Sequence, residues 1–188
     1  MKIIDNHKFF DDVPTGSWYE KYVVFASARE LLDGTGANQF SPNTYMTRAV
    51  FITALHHLEN APSADGDLFA DVDAGAYCAD AVRWARASTI VLGTGGGNFV
   101  PEDGVTREQL AAILYRYAKS LGMDTSAKGD LTKFEDSEDA SDWAADMLEW
   151  AVGIGLVQGR SNDALVPKGV ATRAEVAVIL ERFIENLL

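Results

Sequence analysis

The sequence predicts a mainly α-helical domain in which three helix-loop-helix repeats stand around a pseudo-threefold axis and form a central three-helix bundle. Three observations predict it. The chain holds three divergent copies of one unit of about 60 residues. Each copy closes with a segment opened by Thr-Arg: Thr47-Arg48, Thr106-Arg107 and Thr172-Arg173. Each of these segments carries an apolar stripe at helical spacing, and one helix-loop-helix cannot bury such a stripe alone.

The copies are aligned by their landmarks. The first runs Phe10-Asp11-Asp12-Val13, Trp18, Phe25-Ala26, Gly34, Phe40-Ser41-Pro42 and Thr47-Arg48-Ala49. The second runs Phe69-Ala70-Asp71-Val72, Tyr77, Trp84-Ala85, Gly93, Phe99-Val100-Pro101 and Thr106-Arg107-Glu108. The third runs Phe134-Glu135-Asp136-Ser137, Trp143, Trp150-Ala151, Gly159, Leu165-Val166-Pro167 and Thr172-Arg173-Ala174-Glu175. From opening Phe to Arg is 38 residues in the first two copies and 39 in the third, the extra residue falling between Phe134 and Trp143. The copies occupy residues 10–60, 69–120 and 134–188 of one compact body, after a tail over 1–9. The stretches Asn60 to Asp67, with Pro62, Ser63, Ala64 and Gly66, and Ser120 to Lys133, with Gly122, Thr125, Ser126 and Gly129, read as surface linkers.

Within each copy the first helix is led by an aromatic residue and has an amphipathic pattern, as in Ala81, Trp84, Ala85 and Ser88. Gly34, Gly93 and Gly159 are expected to stop it. A polar loop follows, then a core-plugging Phe or Leu and a proline that bars further helix. Thr47, Thr106 and Thr172 stand where an N-cap is wanted, and loss of such a cap costs roughly 1 kcal/mol. Gln109 and Glu175 complete capping boxes three residues on, whereas Val50 does not. The stripes follow: Phe51, Ala54, Leu55, Leu58; Leu110, Ile113, Leu114, Tyr117; Val176, Ile179, Leu180, Phe183.

Composition narrows the function. A net charge of −12 and a pI near 4.5 oppose nucleic-acid binding. No run approaches the 18 apolar residues of a membrane span, so no membrane insertion is expected. Residues 1–10 lack the apolar stretch of a signal peptide, which leaves an intracellular protein or a mature or excised piece of a longer one. Cys78 is the single cysteine, excludes an internal disulfide and reads as a buried thiol. His56 and His57 are adjacent and face different sides of a helix, and the Asp65, Asp67, Asp71, Asp73 run lacks calcium-loop spacing. Gly93-Thr94-Gly95-Gly96-Gly97 lacks the Gly-Lys-Ser/Thr of a P-loop. No metal site, no cofactor and no catalytic constellation is expected.

The landmarks together resemble the S-layer homology family: an opening Phe-x-Asp-Val, an aromatic-led helix, a Gly-rich turn, Phe-x-Pro and a Thr-Arg-Ala-Glu helix start. The resemblance covers residues 10 to 188. It departs at Thr47-Arg48-Ala49-Val50, which lacks the Glu, at Thr106-Arg107-Glu108-Gln109, and at Ser137 in place of Val. The resemblance implies a non-catalytic surface-protein module, located outside the cell at the cell wall or S-layer. Its partner would be a secondary cell-wall polysaccharide, through a pyruvylated terminal sugar held in grooves between repeats. A protein-docking or purely structural repeat module is the alternative.

The candidate ligand contacts are Arg48, Arg107 and Arg173, whose planar guanidiniums suit a carboxylate and whose helix starts offer free N–H groups. Their alternative is pairing with Asp12, Asp71 or Asp136 to hold the lobes together. Trp18, Tyr77 and Trp143 are candidates for stacking on sugar rings, while Trp84 and Trp150 read as core. Gly34, Gly93 and Gly159 are turn residues whose backbone N–H groups are secondary candidates. An acidic protein opposes an anionic glycan at long range, but screening within about 10 Å lets local arginines dominate.

Overall fold

A computed structural model describes residues 8–160 and 163–188. Most of the expected tail over 1–9, His7 and Ser161 of the third glycine turn lie outside the described residues. Among the described residues six α-helices appear in chain order: α1 (Glu20–Ala28), α2 (Arg48–Leu58), α3 (Ala79–Ala87), α4 (Arg107–Ser120), α5 (Ala145–Gly153) and α6 (Arg173–Leu187). Short 3-10 turns at Ser137–Asp139 and Asp142–Ala144 precede α5 and take up the extra residue of the third copy. The fold is mainly helical, and among the described residues extended pairing is limited to isolated bridges.

The closest helix packing runs between copies. Helix α3 packs on α2, α5 on α4, and α1 on α6, so the first helix of each copy covers the capped helix of the copy before it and the ring closes. Apolar stripes that no single copy could bury are therefore covered by a neighbour. The capped helices meet through side chains: Tyr117 of α4 stacks on Phe183 of α6 at 5.3 Å, and its hydroxyl donates to Glu59, just beyond α2.

The opposite end of the axis is closed by backbone. Met46 N–H donates to Ala171 C=O (2.9 Å), Ala171 N–H to Val105 C=O (3.0 Å) and Val105 N–H to Met46 C=O (2.9 Å). This three-membered cycle joins all copies and pairs backbone groups that would otherwise be buried unsatisfied. Around it Met46, Val105 and Ala171 are fully buried.

The caps follow the sequence. Thr47, Thr106 and Thr172 each accept from the N–H three residues on, and α4 and α6 carry the full capping box. The expected helix stop is corrected. Helices α1, α3 and α5 end at Ala28, Ala87 and Gly153, well before the glycines. The reversal is made by Glu30, Thr89 and Gly155 in the left-handed region (φ 57°, 57° and 75°). Leu31 N–H then reaches back to Ala26 C=O and Ile90 N–H to Ala85 C=O, the pattern of a Schellman stop, while the buried Leu31 and Ile90 seat the turn.

The glycines serve the opening phenylalanines. A Cβ at Gly34, Gly93 or Gly159 would lie 2.8 Å from the ring of Phe10, Phe69 or Phe134, respectively. The Phe of each copy brings its Cε1 atom against its own glycine turn, and only a missing side chain allows that approach.

Candidate functional site

Each copy begins with an aspartate that gathers a distant loop of its own repeat. Asp12 accepts the N–H groups of Phe40 (2.8 Å) and Ser41 (2.7 Å), Asp71 those of Phe99 (2.8 Å) and Val100 (2.7 Å), and Asp136 those of Leu165 (2.6 Å) and Val166 (2.7 Å). Burial works to raise the Asp71 and Asp136 carboxyls, but these N–H donors and a nearby arginine outweigh it and hold both below the usual range. The second residue of each pair is left-handed despite its side chain: Ser41 (φ 58°), Val100 (φ 53°) and Val166 (φ 51°). The two carboxylate bonds hold that costly conformation, which a β-branched residue rarely adopts.

The arginines grip the same loops from the other side. Arg173 Nε donates to Phe40 C=O, Arg48 Nε to Phe99 C=O and Arg107 Nε to Leu165 C=O, each at 2.8 Å. Arg107 adds Gln158 C=O at 2.6 Å, and Arg173 adds Asp33 C=O. Arg48 and Arg173 also lie over the rings of Phe99 and Phe40, at 4.7 and 4.6 Å from the centroids. All three arginines are 4–6% exposed. Burial lowers their pKa values, and nearby carboxylates partly restore them. The expected alternative, direct pairing with the opening aspartates, is replaced by a relay: Asp and Arg hold opposite ends of one residue.

The expectation of free N–H groups at the helix starts is overturned. Arg48 and Ala49 N–H donate to Asp103 and Pro101 C=O, Arg107 and Glu108 N–H to Gly169 and Pro167 C=O, and Arg173 and Ala174 N–H to Thr44 and Pro42 C=O. The loop of the next copy plugs each helix start, so the first-turn donors are used within the protein.

Two open grooves lie on this frame. One, of about 400 Å³, runs along α6 and is bounded by Arg107, Gly159, Arg160, Glu175, Arg182 and Trp18. The other, of about 530 Å³, runs along α4 and is bounded by Arg48, Gly93, Thr94, Gln109, Arg116 and Trp143. Each draws its arginine, glycine turn and aromatic residue from three different copies. Gly93 φ is +80°, a conformation glycine adopts freely. Tyr77, Arg173 and Gly34 line neither groove, although the same rotation relates them to the other two sets. Trp18, Tyr77 and Trp143 are 60%, 64% and 50% exposed, whereas Trp84 and Trp150 are buried in the core.

Copy-specific side chains tune the grooves. In the α6 groove Arg160 forms a two-pronged pair with Glu175 (2.7 and 2.8 Å), and Arg107 approaches the same carboxylate at 3.8 Å. Burial works to raise Glu175, but Arg160 first, then the Thr172 N–H and Arg107, hold it low. In the α4 groove Glu108 takes Ser141 N–H and Oγ at 3.0 Å each, which anchors the turn carrying Trp143. The sequence reading missed Arg116, Arg160, Arg182 and Glu108. Arg116 and Arg182 were traceable as matched positions nine residues after Arg107 and Arg173.

Family comparison agrees with the repeat geometry: the S-layer homology domain matches residues 9–49, 68–111 and 133–177, in register with the three copies. The chain belongs to the S-layer homology family. Its relatives are diverse. An amylopullulanase of Thermoanaerobacterium thermosulfurigenes is 33% identical over 95% of this chain and 10% of the relative. A surface-layer 125 kDa protein of Lysinibacillus sphaericus is 32% identical over 84% of this chain and 13% of the relative. A cellulosome-anchoring protein of Acetivibrio thermocellus is 24% identical over 94% of this chain and 39% of the relative. The S-layer homology chain thus spans well under half the length of each of these three proteins.

Proposed function

We propose that this chain is a non-catalytic anchoring module that holds a surface protein on the cell wall by binding a secondary cell-wall polysaccharide, through a pyruvylated terminal sugar. The observation that carries the reading is the make-up of the grooves: an arginine, a glycine turn and an exposed tryptophan meet from three copies. A ketal carboxylate suits a guanidinium, and the tryptophan face suits the apolar face of a sugar ring. The shared module across otherwise different relatives, some named as enzymes and some as surface or anchoring proteins, supports a common attachment role. The reading places the protein outside the cell.

The test is co-sedimentation. The protein is expected to pellet with cell-wall sacculi that retain their polysaccharide and to stay in solution with stripped sacculi. Equal behaviour with both would remove the basis for glycan anchoring.

A further inference from the structure

The grooves differ in one respect that repeat symmetry hides. In the α6 groove every guanidinium is already bonded. Arg107 holds Leu165 and Gln158 carbonyls, Arg160 is paired with Glu175, and Arg182 donates to Gln158 Oε1 at 3.1 Å and Leu156 C=O at 3.4 Å. At the matched place on α2 stands His57, whose ring bonds Glu30 C=O at 3.1 Å. Arg116, at that place on α4, makes no hydrogen bond or ion pair among the described residues, yet it is half-buried. Burial lowers its pKa and no carboxylate offsets the loss.

The neighbours of Arg116 do not fill the gap. Gln109 and Thr94 occupy the places that Glu175 and Arg160 hold in the α6 groove, so the α4 groove lacks that internal ion pair. The Glu108 carboxylate is committed to Ser141 through both oxygens. Arg48 Nη1 has only the neutral Gln109 oxygen at 3.3 Å. Of the lining residues two are arginines and one is glutamate, and Asp103 and Asp71 act on Arg48 from outside the groove, so Arg116 is the positive charge left for a carboxylate. By count alone the α6 groove, with three arginines and one glutamate, is more positive. Availability decides otherwise: an anion there competes with Glu175 for Arg160, whereas Arg116 pays its desolvation without return until an anion arrives.

Resting on the anchoring reading above, we infer that the α4 groove is the principal acidic-sugar site of this chain and that Arg116 is its direct carboxylate contact, with Trp143 as the facing wall.

The probe is a hexosaminide bearing a 4,6-pyruvate ketal, titrated calorimetrically into the whole protein beside the same hexosaminide without the ketal. Arg116→Gln is expected to weaken the ketal probe about tenfold, the effect of losing one charge-assisted contact. Arg182→Gln and Arg160→Gln are expected to change affinity by less than about threefold. Because Arg116 is unbonded, its substitution is expected to leave the melting temperature unchanged. The inference is overturned if Arg116→Gln loses no more affinity than Arg182→Gln or Arg160→Gln, or if the neutral probe binds as well as the ketal. If the wild type pellets with sacculi but ignores the ketal probe, this inference falls while anchoring stands. If it does not pellet, both fall.

Discussion

Asp12 and Arg173 grip Phe40 from its two ends, the carboxylate accepting its N–H and the guanidinium donating to its C=O. Asp12 belongs to the first copy and Arg173 to the third, so this residue is where the ring of repeats closes. Asp71 and Arg48 do the same at Phe99, and Asp136 and Arg107 at Leu165. The aspartate folds its own repeat, and the arginine ties that repeat to the one before it in the cycle.

Arg173→Met is therefore expected to be costly even though methionine fits an apolar site. It strands the carbonyl of the fully buried Phe40 at the closing seam, while that of the exposed Asp33 can turn to water, and a buried unsatisfied acceptor costs about 1–3 kcal/mol. Urea unfolding is expected to show a loss of roughly 1–3 kcal/mol. A loss within experimental error would mean that the relay adds nothing to closure.

The glycine turns make a sharper steric prediction. A Cβ at Gly93 would sit 2.6 Å from Asn98 C=O and 2.8 Å from the Phe69 ring, at φ +80°. At Gly95 it would meet nothing, although φ is +110°. Gly95→Ala should cost about 1–2 kcal/mol from backbone conformation alone. Gly93→Ala should cost clearly more, and Phe69→Leu should relieve part of the excess in the double variant. Equal costs would show that the ring does not press on Gly93.

These two cases mark how far the sequence could be read. N-caps were legible because a threonine and the N–H three residues on are local chemistry. The glycines were legible as turns, but their cause was not: the ring that demands Gly93 belongs to Phe69, 24 residues earlier. The arginines were legible as important and misread in their surroundings. Their carbonyl partners lie 51, 58 and 133 residues away, and finding them requires knowing which repeat wraps which. Arg116 escaped notice because its significance is a missing partner, and only coordinates reveal which of three matched positions is unbonded.

Acid should loosen the ring through identifiable carboxylates. Asp71, Asp136 and Glu175 have folded-state pKa values held below their ordinary ones. Such groups contribute stability that is fully present above the unfolded carboxylate range, near pH 4, and is lost as pH falls through the lower folded values. Unfolding free energy is thus expected to be flat through neutrality and to decline below about pH 4. Asp136→Asn and Glu175→Gln should be less stable at pH 7 by roughly 1–2 kcal/mol and show a shallower acid decline. An unchanged slope in both variants would locate the acid sensitivity elsewhere.

The tryptophans separate architecture from recognition within one pair of neighbours. Trp150 is 1% exposed and meets Tyr115 edge-on at 5.4 Å, whereas Trp143, in the 3-10 turn before α5, is half exposed at the α4 groove. Trp150→Ala should cost about 3–5 kcal/mol, as large buried aromatics do. Trp143→Ala should stay within about 1 kcal/mol of wild type, because its ring stands mostly in solvent. On sacculi the order should reverse at matched folded fraction: Trp143→Ala loses binding, and Trp150→Ala loses it only in proportion to unfolding. Trp18→Ala, in the groove whose arginines are already paired, should fall between wild type and Trp143→Ala. If Trp18→Ala weakens sacculus binding more than Trp143→Ala at equal stability, the α6 groove is the dominant surface and its Arg160–Glu175 pair must open to admit the sugar.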